Sequence, residues 1–401
     1  MIRTIAPHRR VAAAIGGACL AMLALPLLLA NRVRRSAGAP RRILVLEPWG
    51  IGDLVLATGA LRALRARYAD AHIAVLAKSY ARALVVSSEM ADEVIAYDFP
   101  WTAFRHKYRP SRYKVFELWS LVRSLRRARY DLVLNARADV RNNVLGALAG
   151  GGRFVSLTCG LGDFFATDVV KVGGESHRSD DWRAVVERVL GTAPTAGTPR
   201  LTVSDTLREE MVAALGLERR VGQLVIGVHP GARIAVRRWP LERFAAVADS
   251  LSECLDVRLV VFAEPDGYGA DIPLRSPFVV VQRSLAHMAA AFSACDLVIC
   301  NDSGPMHIAN ALGVPVAALF GPTKLEWFGP RGGPSRVVRI EQVECRPCFD
   351  VCSFPEPHCM TRLSEQQVLE AVYELLAERG LLPSGTAALP ASARMLPIAR
   401  H

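Results

Sequence analysis

Residues 42–77, RILVLEPWGIGDLVLATGALRALRARYADAHIAVLA, decide the fold class of this chain. The stretch 43–47, four apolar residues and Glu47, predicts a buried strand, the stretch 54–68 places apolar residues at helical spacing, and 72–77 predicts a second strand. A strand, a helix and a strand in this order form a unit whose two strands lie parallel in one sheet. The stretch therefore predicts an α/β protein with helices on both faces of a parallel sheet.

The same alternation continues in two series of similar length. The first adds strand patterns at 93–97, 131–135 and 153–157 and helical patterns at 80–88, 115–128 and 139–149. After a Gly/Pro/Thr-rich linker at 191–200, the second adds a helix at 204–217, strands at 223–229, 258–263, 278–282, 296–300 and 314–320, and helices at 240–254, 285–295 and 305–312. We expect two Rossmann-like domains, at 42–220 and 221–380, facing a ligand cleft at the carboxyl ends of their strands. Residues 381–401 are expected to form a disordered tail.

The N-terminal segment 1–41 combines positive charge with a long apolar run. Residues 1–42 carry eight arginines and no acid, which leaves only +3 of the net charge of +11 for the rest of the chain. Residues 11–30, VAAAIGGACLAMLALPLLLA, are long enough to span a bilayer, and the arginines after them favour a cytoplasmic position for the domains beyond residue 41. A cleaved signal peptide and a non-native extension are the alternatives. We expect an anchor in the inner membrane, catalytic domains facing the cytoplasm, and no nucleic-acid partner.

The turn after the first strand carries a candidate catalytic residue. Gly50 and Gly52 permit a tight strand-to-helix turn, and Asp53 comes next, at the start of the helix. Asp53 is either the N-cap of that helix or a general base. The stretch lacks the third glycine and the ribose-binding acid of a dinucleotide site, which argues against a dehydrogenase.

The segment Asn301-Asp302-Ser303-Gly304-Pro305 predicts an anion site in the second series. It joins a strand to a helix, and the backbone N–H groups near Ser303 and Gly304 can bind a diphosphate there. Asp302 suits a sugar hydroxyl or a helix cap. His307, one turn into the helix, is either structural or a ligand contact.

Two further loops supply groups that suit a diphosphate. HPGARIAVRRWP, at 229–240, combines a glycine turn with three positive charges, on Arg233, Arg237 and Arg238. FGPTK, at 320–324, comes after the last predicted strand with a hydroxyl and an ammonium group. The charges in such loops are either solvated or a clamp for a diphosphate.

Four cysteines are concentrated near the C-terminus, at positions Cys345, Cys348, Cys352 and Cys359. Zinc is one interpretation of a CxxC pair with two more cysteines after it, and a packed loop of thiols is the other. The spacing is irregular, and the chain has no His-Glu-x-x-His or Asp-x-Asp motif. We therefore expect a reaction that needs no metal and no cofactor.

Together these stretches resemble glycosyltransferase family 9, the bacterial heptosyltransferases of lipopolysaccharide core assembly. In the family's order they are ILVLEPWGIGDLVLATGALRALRARY, HPGARIAVRRWPLERF, CNDSGPMHIANALGVPVAALFGPT, and CRPCFDVCSFPEPHCM with LSEQQVLEAV after it. The resemblance implies the GT-B architecture of two Rossmann-like domains. It also implies inverting transfer of a sugar from a nucleotide sugar, typically heptose from ADP-heptose, to a lipopolysaccharide core acceptor.

The resemblance also implies roles for individual residues. Asp53 matches the aspartate regarded as the general base, and Arg237 stands where the family usually has a lysine. Glu264 or Asp266 stands where an acid often contacts the ribose or adenine. The expected donor-binding residues are Arg237, Glu264, Asp302, Ser303, Gly304, His307, Thr323 and Lys324. The resemblance implies no metal role for the cysteines, so zinc stays the less favoured interpretation.

Residues 101–130 are strongly basic and contain one acid, Glu117. They are interpreted as a solvated loop and helix, as the site of an acidic glycolipid acceptor, or, least favoured, as an RNA surface. The expected acceptor-binding residues are Arg105, Lys107, Arg109 and Arg112. Two alternatives to heptosyl transfer stay open: another nucleotide sugar in the same family, or a membrane-tethered nucleotide-sugar-binding protein without catalysis.

Overall fold

The computed structural model describes residues 38–86, 88–103, 114–194, 197–281, 283–343, 345–348 and 351–382. The chain divides into two compact units, Met1–Pro199 and Arg200–His401. Three expectations lie outside the described residues: the apolar run at 11–30, the four basic acceptor residues at positions 105 to 112, and the tail beyond 382.

The first unit is a parallel six-stranded sheet with helices between its strands. Its elements are β1 (Arg42–Leu46), α1 (Ile51–Arg67), β2 (His72–Ala77), α2 (Arg82–Val86), β3 (Glu93–Ala96), α3 (Val115–Ala128), β4 (Leu132–Asn135), α4 (Val140–Ala149), β5 (Arg153–Leu157), β6 (Asp168–Val170) and α5 (Arg178–Leu190). The strand order is β3-β2-β1-β4-β5-β6.

The second unit repeats this architecture. Its elements are α6 (Asp205–Leu215), β7 (Leu224–His229), α7 (Leu241–Cys254), β8 (Val257–Phe262), β9 (Phe278–Val281), α8 (Leu285–Phe292), β10 (Leu297–Asn301), α9 (Gly304–Ala311), β11 (Val316–Leu319), α10 (Leu325–Phe328), β12 (Ser335–Val338), α11 (His358–Thr361) and α12 (Glu365–Glu378). The strand order is β12-β11-β10-β7-β8-β9, and all pairs are parallel. Two α/β units with parallel sheets therefore confirm the predicted fold class.

The central strands are apolar along their whole length because helices cover both faces of each sheet. In β1, Ile43, Leu44, Val45 and Leu46 are all at most 1% exposed. Leu44 lies opposite Ala74 of β2 on one side and Val133 of β4 on the other. This environment explains why the strands appear in the sequence as continuous apolar runs rather than as alternating patterns.

In each sheet, successive strands are first added toward one edge and then, from a central strand, toward the other edge. In the first unit the strands run outward from β1 to β3, and the chain then returns to place β4 beside β1. In the second unit β7 and β10 are neighbours in the same way. The loops after these pairs of strands diverge at the carboxyl edge, and this is where ligands of open α/β sheets bind.

The boundary between the units differs from the sequence-based expectation. It lies between Pro199 and Arg200, whereas the sequence placed it near 220. The reason is α6, which packs against α8 and so belongs to the second unit. The sequence patterns also did not reveal six elements, β6, α5, α10, β12, α11 and α12.

A membrane-spanning helix was expected only at 11–30, outside the described residues. Among the helices that the structure does describe, none combines the length and apolar character needed to cross a bilayer.

Candidate active site

Asp53 lies in the first turn of α1, at the carboxyl end of β1. One carboxylate oxygen accepts the backbone N–H of Gly50 at 3.1 Å, and the other accepts Arg137 Nη1 at 3.0 Å. Arg178 Nε lies 3.8 Å from the same oxygen, and the Asp53 side chain is only 14% exposed. The N-cap residue of α1 is Gly50, so the prediction of Asp53 as the N-cap is wrong. Asp53 lies three residues further on, and its carboxylate accepts the backbone N–H of Gly50. The structure thus holds the mostly buried Asp53 carboxylate in one orientation.

The two arginines come from the loop after β4, the neighbour of β1, and from α5, which packs against α1. Arg137 comes after β4, and its guanidinium stacks on Trp49 with 4.4 Å to the ring centre. Arg178 is the first residue of α5, where it bonds to Asp181 and donates to the Ala136 carbonyl at 2.7 Å. Both contacts fix the guanidinium groups before any substrate arrives.

A buried amide network supports the loop that carries Arg137. Asn135, at the end of β4, donates to the Arg137 carbonyl at 2.8 Å and bonds with Asn143 and Ser156 at 2.9 Å each. Asn142 donates to Asn135 at 3.0 Å. Asn142 Oδ1 is the one oxygen of this network with no partner among the described residues. The other bonds hold the Arg137 loop in place, because breaking one would leave a buried polar group without water.

Glu47 is a second carboxyl group beside Asp53. It is 2% exposed, and it accepts Trp182 Nε1 at 3.1 Å. Burial, and after it the charge of Asp53, raises the pKa of Glu47 to about 7, although Arg137 and Arg178 act in the opposite direction. Glu47 therefore changes its charge near neutral pH, next to the candidate base.

The sequence patterns did not identify four residues of this site: Glu47, Arg137, Arg178 and Trp182. A signal existed for Arg137, which comes two residues after a predicted strand that is central in the sheet. Arg178 and Trp182 belong to α5, a helix that was not predicted. Glu47 looked like an ordinary acid at the end of a strand, because burial cannot be deduced from its position alone.

In the second unit, Arg237 and Asp302 form an ion pair between the loops after β7 and β10. Arg237 Nη1 lies 3.2 Å from Asp302 Oδ2, and the Asp302 side chain is 3% exposed. Asn301 ties the two loops together by accepting the Trp239 N–H at 3.1 Å and donating to the Pro230 carbonyl at 2.7 Å. The structure thus brings Arg237 to the predicted anion loop, with Asp302 as its partner.

Two buried hydroxyl groups near this pair have no hydrogen-bond partner among the described residues. Ser303 is the N-cap of α9, but its Oγ forms no hydrogen bond with any described residue. Thr323 lies after β11, and its Oγ1 also has no such partner. Gly304 begins α9, and its backbone N–H is one of the unpaired donors of the first turn, next to Ser303; Pro305 carries no N–H. Unsatisfied donors at a helix N-terminus suit an anionic ligand. His307, in the next turn, is 5% exposed.

Glu264 comes directly after β8, and its side chain lies next to Gly231 in the loop after β7. A Cβ added to Gly231 would lie 2.5 Å from the Glu264 side chain, so any larger residue there would displace that side chain. Burial raises the pKa of Glu264, and Arg238 partly opposes this. His229 Nε2 is 3.9 Å from Glu264, and burial lowers the pKa of His229 to about 4, so this histidine is neutral at pH 7.

The remaining predicted residues differ in how the structure places them. Lys324 lies over the ring of Trp327, with 5.4 Å between Nζ and the ring centre. The four C-terminal cysteines are thiols, and burial raises the pKa of Cys359 to about 11. In the described part of the chain, no cluster of three or more His, Cys, Asp or Glu side chains could hold a metal ion.

Solved structures share this arrangement of two parallel-sheet units. The ADP-heptose lipopolysaccharide heptosyltransferase II of Escherichia coli matches with a TM-score of 0.67 and 23% identity, over 84% of this chain and 99% of that one. A glycosyltransferase family 9 structure from Veillonella parvula matches with a TM-score of 0.71 and 24% identity, over 84% and 98%. The fold is thus that of two-domain glycosyltransferases.

Sequence comparison then gives the family. The model of glycosyltransferase family 9 (heptosyltransferase) matches residues 118–358, so the chain belongs to this family and is a glycosyltransferase. Lipopolysaccharide heptosyltransferase 2 of Salmonella typhimurium is 28% identical over 85% of this chain and 100% of its own length. The Escherichia coli protein of the same name is 26% identical over 75% of this chain and 88% of its own.

Proposed function

We propose that this enzyme transfers heptose from ADP-heptose to a lipopolysaccharide core acceptor, with inversion at the anomeric carbon. The observation that carries the proposal is the geometry at Asp53. A mostly buried carboxylate, oriented by Arg137 and Gly50, lies where open α/β sheets bind ligands. Relatives named lipopolysaccharide heptosyltransferase 2 support the sugar and the acceptor class.

The second unit binds the nucleotide sugar in this proposal. Arg237 and the N–H groups at the start of α9 neutralise the diphosphate, and the hydroxyls of Ser303 and Thr323 complete its hydrogen bonds. Asp302 holds Arg237 in place and contacts a sugar hydroxyl. Glu264 contacts the ribose, and His307 and Lys324 complete the donor-binding residues.

The proposed reaction is a single displacement. Asp53 takes the proton from an acceptor hydroxyl as that oxygen forms its bond to the anomeric carbon of the donor. The bond from that carbon to the diphosphate breaks, and the nucleoside diphosphate leaves with the electron pair. Arg237 and the amides of α9 stabilise the charge on the leaving group. One displacement from the opposite side inverts the configuration.

Glu47, Arg137 and Arg178 act as positioning residues. The two arginines and the N-terminus of α1 stabilise the ionised form of Asp53, which fixes its orientation and weakens it as a base. A negative charge on Glu47 acts in the opposite direction. Whether Glu47 is protonated or ionised therefore affects how readily Asp53 accepts a proton from the acceptor hydroxyl.

Replacing Glu47 by glutamine is expected to remove a pH dependence. In the wild type, kcat/KM should rise by about 3- to 10-fold through an inflection near pH 7 as Glu47 ionises and makes Asp53 a stronger base. Glutamine keeps the acceptor for Trp182 and carries no charge, so the inflection should disappear. The measurement is kcat/KM between pH 5.5 and 8.5.

The same variant should change stability in a defined direction. The folded pKa of about 7 lies above the usual 4.5, so Glu47 contributes stability that is complete below pH 4.5 and is lost as the pH rises through 7. Glu47→Gln should therefore unfold with a free energy higher by on the order of 2–3 kcal/mol at pH 8, and much less at pH 5. Glu187→Gln, an exposed acid on α5, is the control. If the unfolding free energies of wild type and Glu47→Gln differed equally at pH 5 and pH 8, Glu47 would not titrate near pH 7 in the folded protein.

The donor is tested by thermal shift with ADP, UDP and GDP and their sugar derivatives. ADP and ADP-heptose should raise the melting temperature most, because a ligand that binds only the folded state stabilises it by mass action. A larger shift with a UDP- or GDP-sugar would assign another donor, which is the alternative within the family.

We further propose that residues 11–30 anchor the enzyme in the inner membrane, with its catalytic units in the cytoplasm. A chain that begins at Arg41 should be soluble and should retain transfer to a soluble acceptor fragment, because Arg41 and Arg42 still donate to Asp131 at 2.8 and 2.9 Å. It should lose efficiency mainly on acceptor embedded in membranes, where anchoring raises the local concentration. Turnover on both acceptors measures this.

Topology is tested separately with a C-terminal reporter that is active only in the periplasm. An inactive reporter agrees with the cytoplasmic position that the arginines after residue 30 favour. An active reporter would refute both this topology and the use of a cytoplasmic nucleotide sugar.

A further inference from the structure

Helix α3 exposes a group of large apolar side chains. Its inner face packs on the sheet through Leu121 and Leu125, while Val115, Phe116 and Trp119 are 68%, 89% and 59% exposed. Elsewhere in the described chain, no five-residue stretch holds three large apolar side chains this exposed. An exposed apolar cluster of this kind marks a surface that a partner covers.

The remaining charges on this helix are almost all positive. Arg123 lies over the Trp119 ring with 5.0 Å to its centre, and Arg127 is exposed one turn further along. The one acid, Glu117, is already paired with Lys114 at 2.8 Å. We call Phe116, Trp119, Arg123 and Arg127 the outer face of α3.

A lipid surface matches this combination better than a folded partner does. Aromatic rings favour the boundary between headgroups and hydrocarbon, and arginines beside them contact lipid phosphates. An anionic headgroup layer supplies the negative charge, and the hydrocarbon beneath it supplies the apolar environment, at one place. An acidic protein would have to offer both within a surface the size of four side chains.

We propose that the outer face of α3 binds the surface of an anionic membrane, with Phe116 and Trp119 entering the interface and Arg123 and Arg127 contacting lipid phosphates. This contact is separate from the anchor proposed at 11–30. It would hold the first unit, which carries Asp53, against the bilayer in which a lipid-linked acceptor resides. It does not depend on the chemistry at Asp53.

Hydrogen–deuterium exchange on the full chain tests the proposal. The protein is bound to vesicles of phosphatidylcholine alone or with 30% phosphatidylglycerol, so that any anchoring by 11–30 is common to both. Amides of Val115–Ala128 should exchange about fivefold or more slowly on the anionic vesicles, because a contact on the native helix suppresses its opening. High salt should reverse the effect.

Matched variants separate this surface from general effects. Phe116→Ser/Trp119→Ser should lose the slow exchange and keep turnover of a soluble acceptor fragment, since both positions are exposed. The control is Val221→Ser/Phe354→Ser, which removes two exposed apolar residues of the second unit. It should keep the slow exchange of α3 on anionic vesicles.

Three results would overturn the proposal. Equal exchange of α3 on both kinds of vesicle would exclude a role for anionic lipid. Protection that appears without vesicles as the protein concentration rises would make the face a contact between copies. Protection by a soluble acceptor fragment alone would make it part of the acceptor site.

Discussion

Asp53→Asn is expected to lower turnover by about 10²- to 10⁴-fold, the usual cost of losing a general base. Asparagine has nearly the same shape and can still accept the Gly50 N–H, so the start of α1 should stay intact. It cannot take up a proton from an acceptor hydroxyl. Affinity for ADP should change little, because the proposed donor-binding residues are all in the second unit. Steady-state kinetics and calorimetry with ADP measure the two effects.

Asp70→Asn is the matched control, since Asp70 is an exposed acid in the same unit. It should retain wild-type turnover. If Asp53→Asn also kept near-wild-type turnover, Asp53 would serve only to fix the start of α1 and to pair with Arg137.

Arg237→Ala is expected to reduce both ADP affinity and turnover. Hydrogen bonds to charged groups contribute about 1.5–3 kcal/mol, so the affinity should fall about 10- to 100-fold. The substitution also removes the partner 3.2 Å from the buried Asp302 carboxylate, so the unfolding free energy should fall by up to about 3–5 kcal/mol. Calorimetry and denaturant unfolding separate the two.

Arg237→Lys should partly restore binding, because it keeps the charge but not the two-pronged geometry of the guanidinium group. Arg220→Ala, at an exposed position of the second unit, is the control for a general loss of positive charge. Unchanged ADP affinity in Arg237→Ala would show that the diphosphate is bound elsewhere.

The sequence predicted the regular parts of both units because buried parallel strands have a distinct pattern. The ranges 72–77, 153–157 and 115–128 agree with β2, β5 and α3 residue for residue. It missed α5, although Trp182, Val185, Val186 and Val189 follow the i, i+3, i+4, i+7 spacing of an amphipathic helix. It also failed for β6, a three-residue edge strand too short to show a period.

The candidate site was predictable where a short motif carries it. The turn before Asp53 and the segment at 301–305 stand out locally, and each does lie at the carboxyl edge of its sheet. The contacts of Asp53 were not predictable, because Arg137 and Arg178 are 84 and 125 positions away in the chain. The ion pair of Arg237 with Asp302 likewise joins loops 65 positions apart.

NMR of the reaction can show whether this enzyme transfers heptose from ADP-heptose by one displacement, as we propose. The full-length protein is incubated with ADP-heptose and a soluble lipopolysaccharide core fragment, and the new anomeric centre is assigned. We expect one ADP released per bond formed and an anomeric configuration opposite to that of the donor. A product with retained configuration, or transfer only from a different nucleotide sugar, would contradict this proposal.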